Sequence, residues 1–236
     1  MNTILTVDDL QAMQRAVGIW LPGFATEPDG FGVRDELDLD EVTRLAEAFC
    51  DAVLAVEVQT DRAGEVTEYA FSIGPSGEMG MLEALPGGLV RFWAVEGGDA
   101  VAAVAGVAGL DPDVVTAAEG PRWTVSPVVY RRCDKQALAG DEEAAVTTLT
   151  RVGVDPGTAK TWVAAMSGRG GAAAVTVVRR DPDTGRLEAG ELRWGADETG
   201  AAWRITADEN AYAMTPASGP ELYAALRELM REGEHG

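Results

Sequence analysis

Residues 175–195 read VTVVRRDPDTGRLEAGELRWG, and this stretch decides the fold class. Val175 and Val177 alternate around Thr176, the period-2 pattern of a strand with one buried face. Asp181-Pro182-Asp183-Thr184-Gly185 follows as a turn, with Pro pre-setting φ and Gly closing the reversal. Leu187, Leu192, Trp194 and Gly195 then lie on the returning strand. Residues 56–74, VEVQTDRAGEVTEYAFSIG, read the same way. Val56 and Val58 alternate with Glu57 and Gln59, Thr60 to Gly64 reverses the chain, and Val66, Phe71, Ile73 and Gly74 return. An offset of 119 residues superimposes the two stretches before the turn (Val56 on Val175), and one of 121 after it (Val66 on Leu187). The five-residue steps from Val66 to Phe71 and from Leu187 to Leu192 break strict alternation, which predicts a bulge at the same place in both.

Working outward, the N-terminal side begins with a helix capped by Thr6. Asp8 and Asp9 sit in its first turn, Leu10, Met13 and Val17 form its stripe, and Gly18 stops it. Residues 19–35 carry Pro22, Gly23, Pro28, Gly30 and Gly32 and read as a loop. A second helix begins near Leu37 and turns one apolar face, with Val42, Leu45, Ala46 and Phe49. After the first hairpin, strands are expected around 81–85 and 89–95, then a small-residue helix over 100–110. Residues 111–128, rich in Pro and polar residues, read as a boundary. Helix resumes over 141–166, broken near Gly153 to Gly157. Beyond the second hairpin, strands over 202–207 and 211–217 precede a last helix with Pro220 at its first position and Leu222, Leu226, Leu229 and Met230 on one stripe.

The predicted class is α+β. Two quasi-symmetric halves, 1–118 and 119–236, each contribute a helix pair, a four-stranded antiparallel meander and a closing helix. They share a central antiparallel sheet and form one compact domain. Pairing across a pseudo-twofold axis would also remove exposed edges.

Composition narrows the chemistry. The 236 residues hold 19 Lys plus Arg against 39 Asp plus Glu, a net charge of −20. Nucleic acid needs a basic surface, so it is not the expected partner, and neither is an acidic membrane. The one histidine, His235, lies beside the C-terminus, where a catalytic triad is poorly placed. Cys50 and Cys133 are far apart, so neither a CxxC motif nor a zinc ligand set exists. Lys135 and Lys160 are the only lysines and neither follows a Gly, as a phosphate loop requires. The N-terminus turns acidic at Asp8 and no apolar run is long enough for a bilayer, so the expectation is a cytoplasmic protein with reduced cysteines. No cofactor, metal or catalytic residue is expected.

The order of elements resembles the EspG-type chaperones of actinobacterial type VII secretion systems. The likeness rests on Leu5-Thr6-Val7-Asp8-Asp9-Leu10 at the start and on Gly190-Glu191-Leu192-Arg193-Trp194 and Trp203-Arg204-Ile205-Thr206 in the second half. Thr215-Pro216-Ala217 running into Leu222-Tyr223-Ala224-Ala225-Leu226 completes it. High Ala, Gly and Val with few lysines fits a high-GC source. The residues from Pro22 to Asp40 have no counterpart in the pattern, and the chain is somewhat short for the family. The resemblance implies a cytosolic, non-enzymatic chaperone. Its partner would be the helical tip of a PPE-type secretion substrate, itself paired with a PE-type protein and kept soluble until export.

Capturing an apolar helix tip requires an exposed apolar patch with a polar rim. Trp162, Met166, Trp194, Trp203 and Tyr212 are the candidate partner-binding residues, because aromatic anchors bury much area at low entropic cost. Each also sits where periodicity expects a core residue, and core packing is the stronger reading for any one of them. The acidic run Asp35, Glu36, Asp38, Asp40 and Glu41 lacks the Gly and distal Glu of a Ca²⁺ loop and fits a helix start. Gly168-Arg169-Gly170-Gly171 precedes a strand, so it reads as a link and not as a nucleotide loop. Arg131-Arg132 and Arg179-Arg180 read as solvated strand or loop ends, and Cys50 as a small buried hydrophobe. The alternatives are an acidic inhibitor or immunity-like protein steered by its charge, and a carboxylate-based small-molecule enzyme with a cleft between the halves.

Overall fold

The structure is a computed structural model that describes residues 2–17, 22–23, 49, 52–62, 64–75, 77–95, 98–167, 170–181 and 184–231. It holds the expected α+β architecture, with eleven strands in one sheet and six helices among the described residues. In chain order the elements are β1 (Asn2–Thr6), α1 (Val7–Val17), β2 (Leu54–Arg62), β3 (Glu65–Ile73), β4 (Met79–Leu85), β5 (Leu89–Val95) and α2 (Ala100–Val107). Then come β6 (Thr116–Ala117), β7 (Trp123–Val125), α3 (Pro127–Leu138), α4 (Glu142–Arg151) and α5 (Pro156–Met166). The chain closes with β8 (Ala172–Arg180), β9 (Leu187–Ala196), β10 (Ala201–Ala207), β11 (Tyr212–Pro216) and α6 (Gly219–Arg231).

The strand order is β1-β5-β4-β3-β2-β8-β9-β10-β11-β7, antiparallel throughout, with β6 running parallel beside the start of β10. The two central hairpins meet at β2 and β8, where Val56 faces Val177, Glu57 faces Thr176 and Val58 faces Val175. Four meander strands and one edge strand extend to each side of this seam.

Local chemistry explains most of the boundaries. Thr6 Oγ1 accepts from the Asp9 amide at 3.1 Å while Asp9 Oδ2 accepts from the Thr6 amide at 3.0 Å, a reciprocal cap that starts α1. Gly109 at φ 68° ends α2, and the Leu110 amide then reaches back to the Ala105 carbonyl at 2.9 Å. Asp155 receives the amides of Gly157 and Thr158 and starts α5 directly after the break at 152–155. At the start of α6, Ser218 donates both its amide and its hydroxyl to Glu221 Oε2, each at 2.8 Å.

Three sequence expectations need correction. Residues 111–128 hold two short strands, β6 and β7, as well as connecting chain. The stretch 127–138 is a helix, α3, so Arg131 and Arg132 stand on a helix and not at a strand or loop end. Its start is capped by Ser126 with Pro127 in the first turn, a signal that the density of Pro and polar residues upstream obscured. Neither hairpin contains the expected bulge, for the register of β2 with β3 and of β8 with β9 is unbroken from end to end. An odd five-residue step in an unbroken strand places its two ends on opposite faces. Val66 and Leu187 are accordingly exposed, whereas Phe71 and Leu192 are buried.

One sheet face is covered at its centre by α2 and α6. Val56, Val58, Phe71, Val175, Val177, Leu192 and Trp194 pack there against Val104, Ala105, Leu222 and Leu226. On the other face the helices stand to the sides. Toward β7, α3 to α5 cover Trp203 and Met214 with Tyr130, Cys133, Leu149, Trp162, Val163 and Met166. Toward β1, Leu5, Leu82, Val90 and Phe92 are buried, with Phe49 edge-on to Phe92 at 6.4 Å between ring centroids. The expected helix from Leu37, the loop over 24–35, the acidic run 35–41, Gly18, Cys50, Gly168, Arg169, Pro182, Asp183 and His235 lie outside the described residues, as do the Met13 and Val17 side chains.

Candidate partner-binding surface

On the second face, the centre of the sheet is not covered by any described helix. Four rows of side chains cross it, taken from β3, β2, β8 and β9 in that order: Ser72, Ala55, Val178, Ala189; Ala70, Glu57, Thr176, Glu191; Glu68, Gln59, Ala174, Arg193; and Val66, Asp61, Ala172, Gly195. Exposure runs diagonally through this lattice. Ser72, Ala55 and Ala70 are buried at one corner and Gly195 at the opposite corner, while Val66, Gln59, Glu191 and Ala189 are exposed between them. The floor is low because β8 contributes Ala172, Ala174 and Thr176 here. The two ends are apolar, Val66 at the tip of one hairpin and Leu187 at the tip of the other, exposed by 52% and 64%. Glu57, Gln59, Asp61, Glu68, Glu191 and Arg193 stand among the small residues, and the Gly23 amide donates to Glu57 Oε1 at 2.8 Å, so this strip of sheet, the trough, is polar along its length and apolar at its two ends.

One bank of the trough is set by α5. A Cβ on Gly195 would lie 2.6 Å from the Ala165 carbonyl oxygen, so the helix rests directly on the strand. Beside it, Arg193 Nη2 stands 2.6 Å from Glu191 Oε1; both are exposed, so the pair contributes little to stability. Tyr130 of α3 stacks on Tyr212 of β11 with centroids 4.0 Å apart and planes inclined by 7°. Burial pushes the Tyr130 hydroxyl far above the ordinary tyrosine value, and the neighbouring Asp134 adds to this while Arg193 opposes it. Burial likewise raises the Asp134 carboxyl, with Arg193 pulling it down.

Of the five residues named from sequence, Trp162, Met166, Trp194 and Trp203 are buried. The core reading holds for these four, because each faces a covered side of the sheet or the inner side of α5. Trp162 and Trp203 meet edge to face at 5.7 Å, inside the α3–α5 layer. Tyr212 alone is half-buried and stands at the margin between helix layer and trough. Val66 and Leu187 were readable only as landmarks of the repeat; the odd step that separates them from Phe71 and Leu192 was the signal of their outward orientation.

A concavity of about 310 Å³ opens beside α2 and is lined by Thr60, Arg62, Glu65, Tyr69 and Val107. Burial and Glu83 raise the Tyr69 hydroxyl, while Arg62 and Arg91 lower it. Buried Cys133 has its thiol pushed up to about 11, first by burial, which makes it a poor nucleophile. Among the described residues no cluster of His, Cys, Asp and Glu is arranged to hold a metal ion, and no helix is long and apolar enough to cross a membrane.

No protein-family model matches the sequence, and no curated protein matches it. Among solved structures, the chain is similar to the Mycobacterium tuberculosis type VII secretion system chaperone EspG5, solved in complex with a PE25–PPE41 dimer. The superposition covers 99% of this chain and 98% of that one, at a TM-score of 0.61 and 15% sequence identity. Agreement over both whole chains establishes a shared fold.

Proposed function

We propose that this chain is a cytosolic chaperone of a type VII secretion system, one that binds the helical tip of a PPE-type protein paired with a PE-type partner and keeps it soluble for export. The observation that carries the reading is the end-to-end likeness to EspG5, a chaperone captured with a PE–PPE dimer. The trough adds a physical basis. An apolar helix tip exposes surface that drives aggregation, and a sheet face with exposed Val66 and Leu187 at its ends and Gln59 and Glu191 between them covers such a tip reversibly. Binding by contact requires no cofactor and no bond-making group. Tyr212, half-buried at the margin, belongs to the contact set, and Trp162, Met166, Trp194 and Trp203 act by holding the surface in shape.

We also infer that 1–118 and 119–236 are two related halves of one domain. The seam supports this, because Glu57 faces Thr176, the residue that the 119-residue offset makes its equivalent.

Co-expression with candidate PE–PPE pairs, followed by size-exclusion chromatography, tests the function. A 1:1:1 complex is expected with at least one pair, and a pair that stays insoluble alone should become soluble. Elution of the chain apart from every pair would remove the reading.

A further inference from the structure

The outward side of α3 combines exposed cations with exposed apolar side chains. Val128, Arg131, Arg132, Lys135 and Leu138 fall at helical spacings of three and four, on one strip, and all five are exposed. Val128 is exposed by 77% and Leu138 by 58%, and they are about 15 Å apart along the axis at 1.5 Å per residue. Between them stand three cations, in a chain whose acids outnumber its bases by 39 to 19. No described acid pairs with Arg131, Arg132 or Lys135. The one acid of the helix, Asp134, is half-buried on the inner side, near Tyr130 and Arg193.

A surface with such an acid surplus has every opportunity to neutralise its own cations. Leaving three together, framed by two exposed apolar side chains, matches the complement of an amphipathic acidic helix of about three turns. Its acids would meet the guanidinium and ammonium groups, and its apolar ends would cover Val128 and Leu138. Phosphate-bearing polymers and anionic membranes call for a basic surface broader than these three side chains. α3 lies over the same face of the sheet as the trough, its inner side holding Tyr130 against Tyr212 of β11, and the strip looks outward from that layer.

We propose that this strip docks an acidic amphipathic helix of the partner whose tip fills the trough, so that α3 reads charge while the sheet reads apolar shape. The proposal rests on the chaperone reading. The test uses the PE–PPE pair retained by the wild-type chain in co-expression, with affinity measured by calorimetry at low and high salt. Wild-type binding should weaken as salt rises. The triple reversal Arg131→Glu, Arg132→Glu, Lys135→Glu should weaken it at least tenfold at low salt and remove the salt dependence, while circular dichroism stays unchanged. The triple Gln variant should fall between, and Val128→Asp should weaken binding with the salt dependence kept. Wild-type binding with an unaffected triple reversal would overturn this proposal alone. Absence of any wild-type binding would remove the chaperone reading and this one with it. Light scattering gives the remaining outcome: if the reversal splits a dimer of the free chain and leaves partner affinity intact, the strip faces a second copy and the proposal is wrong.

Discussion

Gly195 and Ala165 are so close that a methyl group on the glycine would stand 2.6 Å from the alanine carbonyl oxygen. The contact fixes the height of α5 over β9 and hence one bank of the trough. Gly195→Ala is expected to destabilise the protein by about 1–3 kcal/mol, the range for forcing extra volume into a packed site. Gly106→Ala provides the counterpart. Gly106 is an exposed residue of α2, and a methyl group there would meet nothing within 4 Å, so alanine should stabilise by about 0.5–1 kcal/mol. Urea unfolding of both variants decides; equal and small effects would mean that α5 rides higher than described.

Trp203 is buried against Trp162, and neither indole N–H has a hydrogen-bond partner among the described residues, so both rings contribute by packing. Trp203→Ala should cost about 3–5 kcal/mol of stability. Partner affinity measured well below the lowered melting temperature should stay close to wild type. Selective loss of binding in a fully folded Trp203 variant would return this residue to the contact surface.

What the sequence could and could not disclose follows from the range of each signal. The hairpins were legible because alternation and turn chemistry act within a few residues: Val56, Val58, Val175 and Val177 all face the α2–α6 core as the pattern required. β1, β6 and β7 were not, since five, two and three residues carry too little periodicity and their order comes from pairing with distant strands. α3 was hidden because Pro127, read as a breaker, is its first residue. The core aromatics were identifiable as large and periodic, but exposure depends on which face a helix covers. For Trp203 that is decided by α5, which lies two strands earlier in the chain. Val66 and Leu187 declared their orientation through an odd step, which a bulge would have cancelled and an unbroken register preserved.

Asp134 gives the molecule a pH dependence of calculable sign. Burial raises its carboxyl above the usual value, with Arg193 offsetting part of the effect. The folded state thus holds this proton more tightly than the unfolded state. Stability contributed at this site is greatest below the unfolded pKa and declines as pH rises from there through the folded pKa. Asp134→Asn should flatten that decline and leave the protein at least as stable at neutral pH. Denaturant titrations from pH 3.5 to 7 in the two proteins provide the comparison (roughly the span over which a raised carboxylate ionises). A steeper decline in the Asn variant would place the ionised carboxylate in a favourable pair with Arg193.

The trough makes its own demand on binding. Val66 and Leu187 stand on the outer face at opposite ends of the exposed diagonal, and burial of either by a partner removes apolar area from water without disturbing the core. Val66→Asp and Leu187→Asp should each leave stability within about 0.5 kcal/mol of wild type, as surface changes do. Each should weaken the PE–PPE pair on the order of tenfold, since a charge buried at an interface lacks a counterpart there. If only one end of the diagonal responds, the partner's tip occupies that half of the trough, and the responding residue fixes its direction of approach. If neither responds while the α3 strip does, the sheet is a scaffold and the helix layer alone holds the partner.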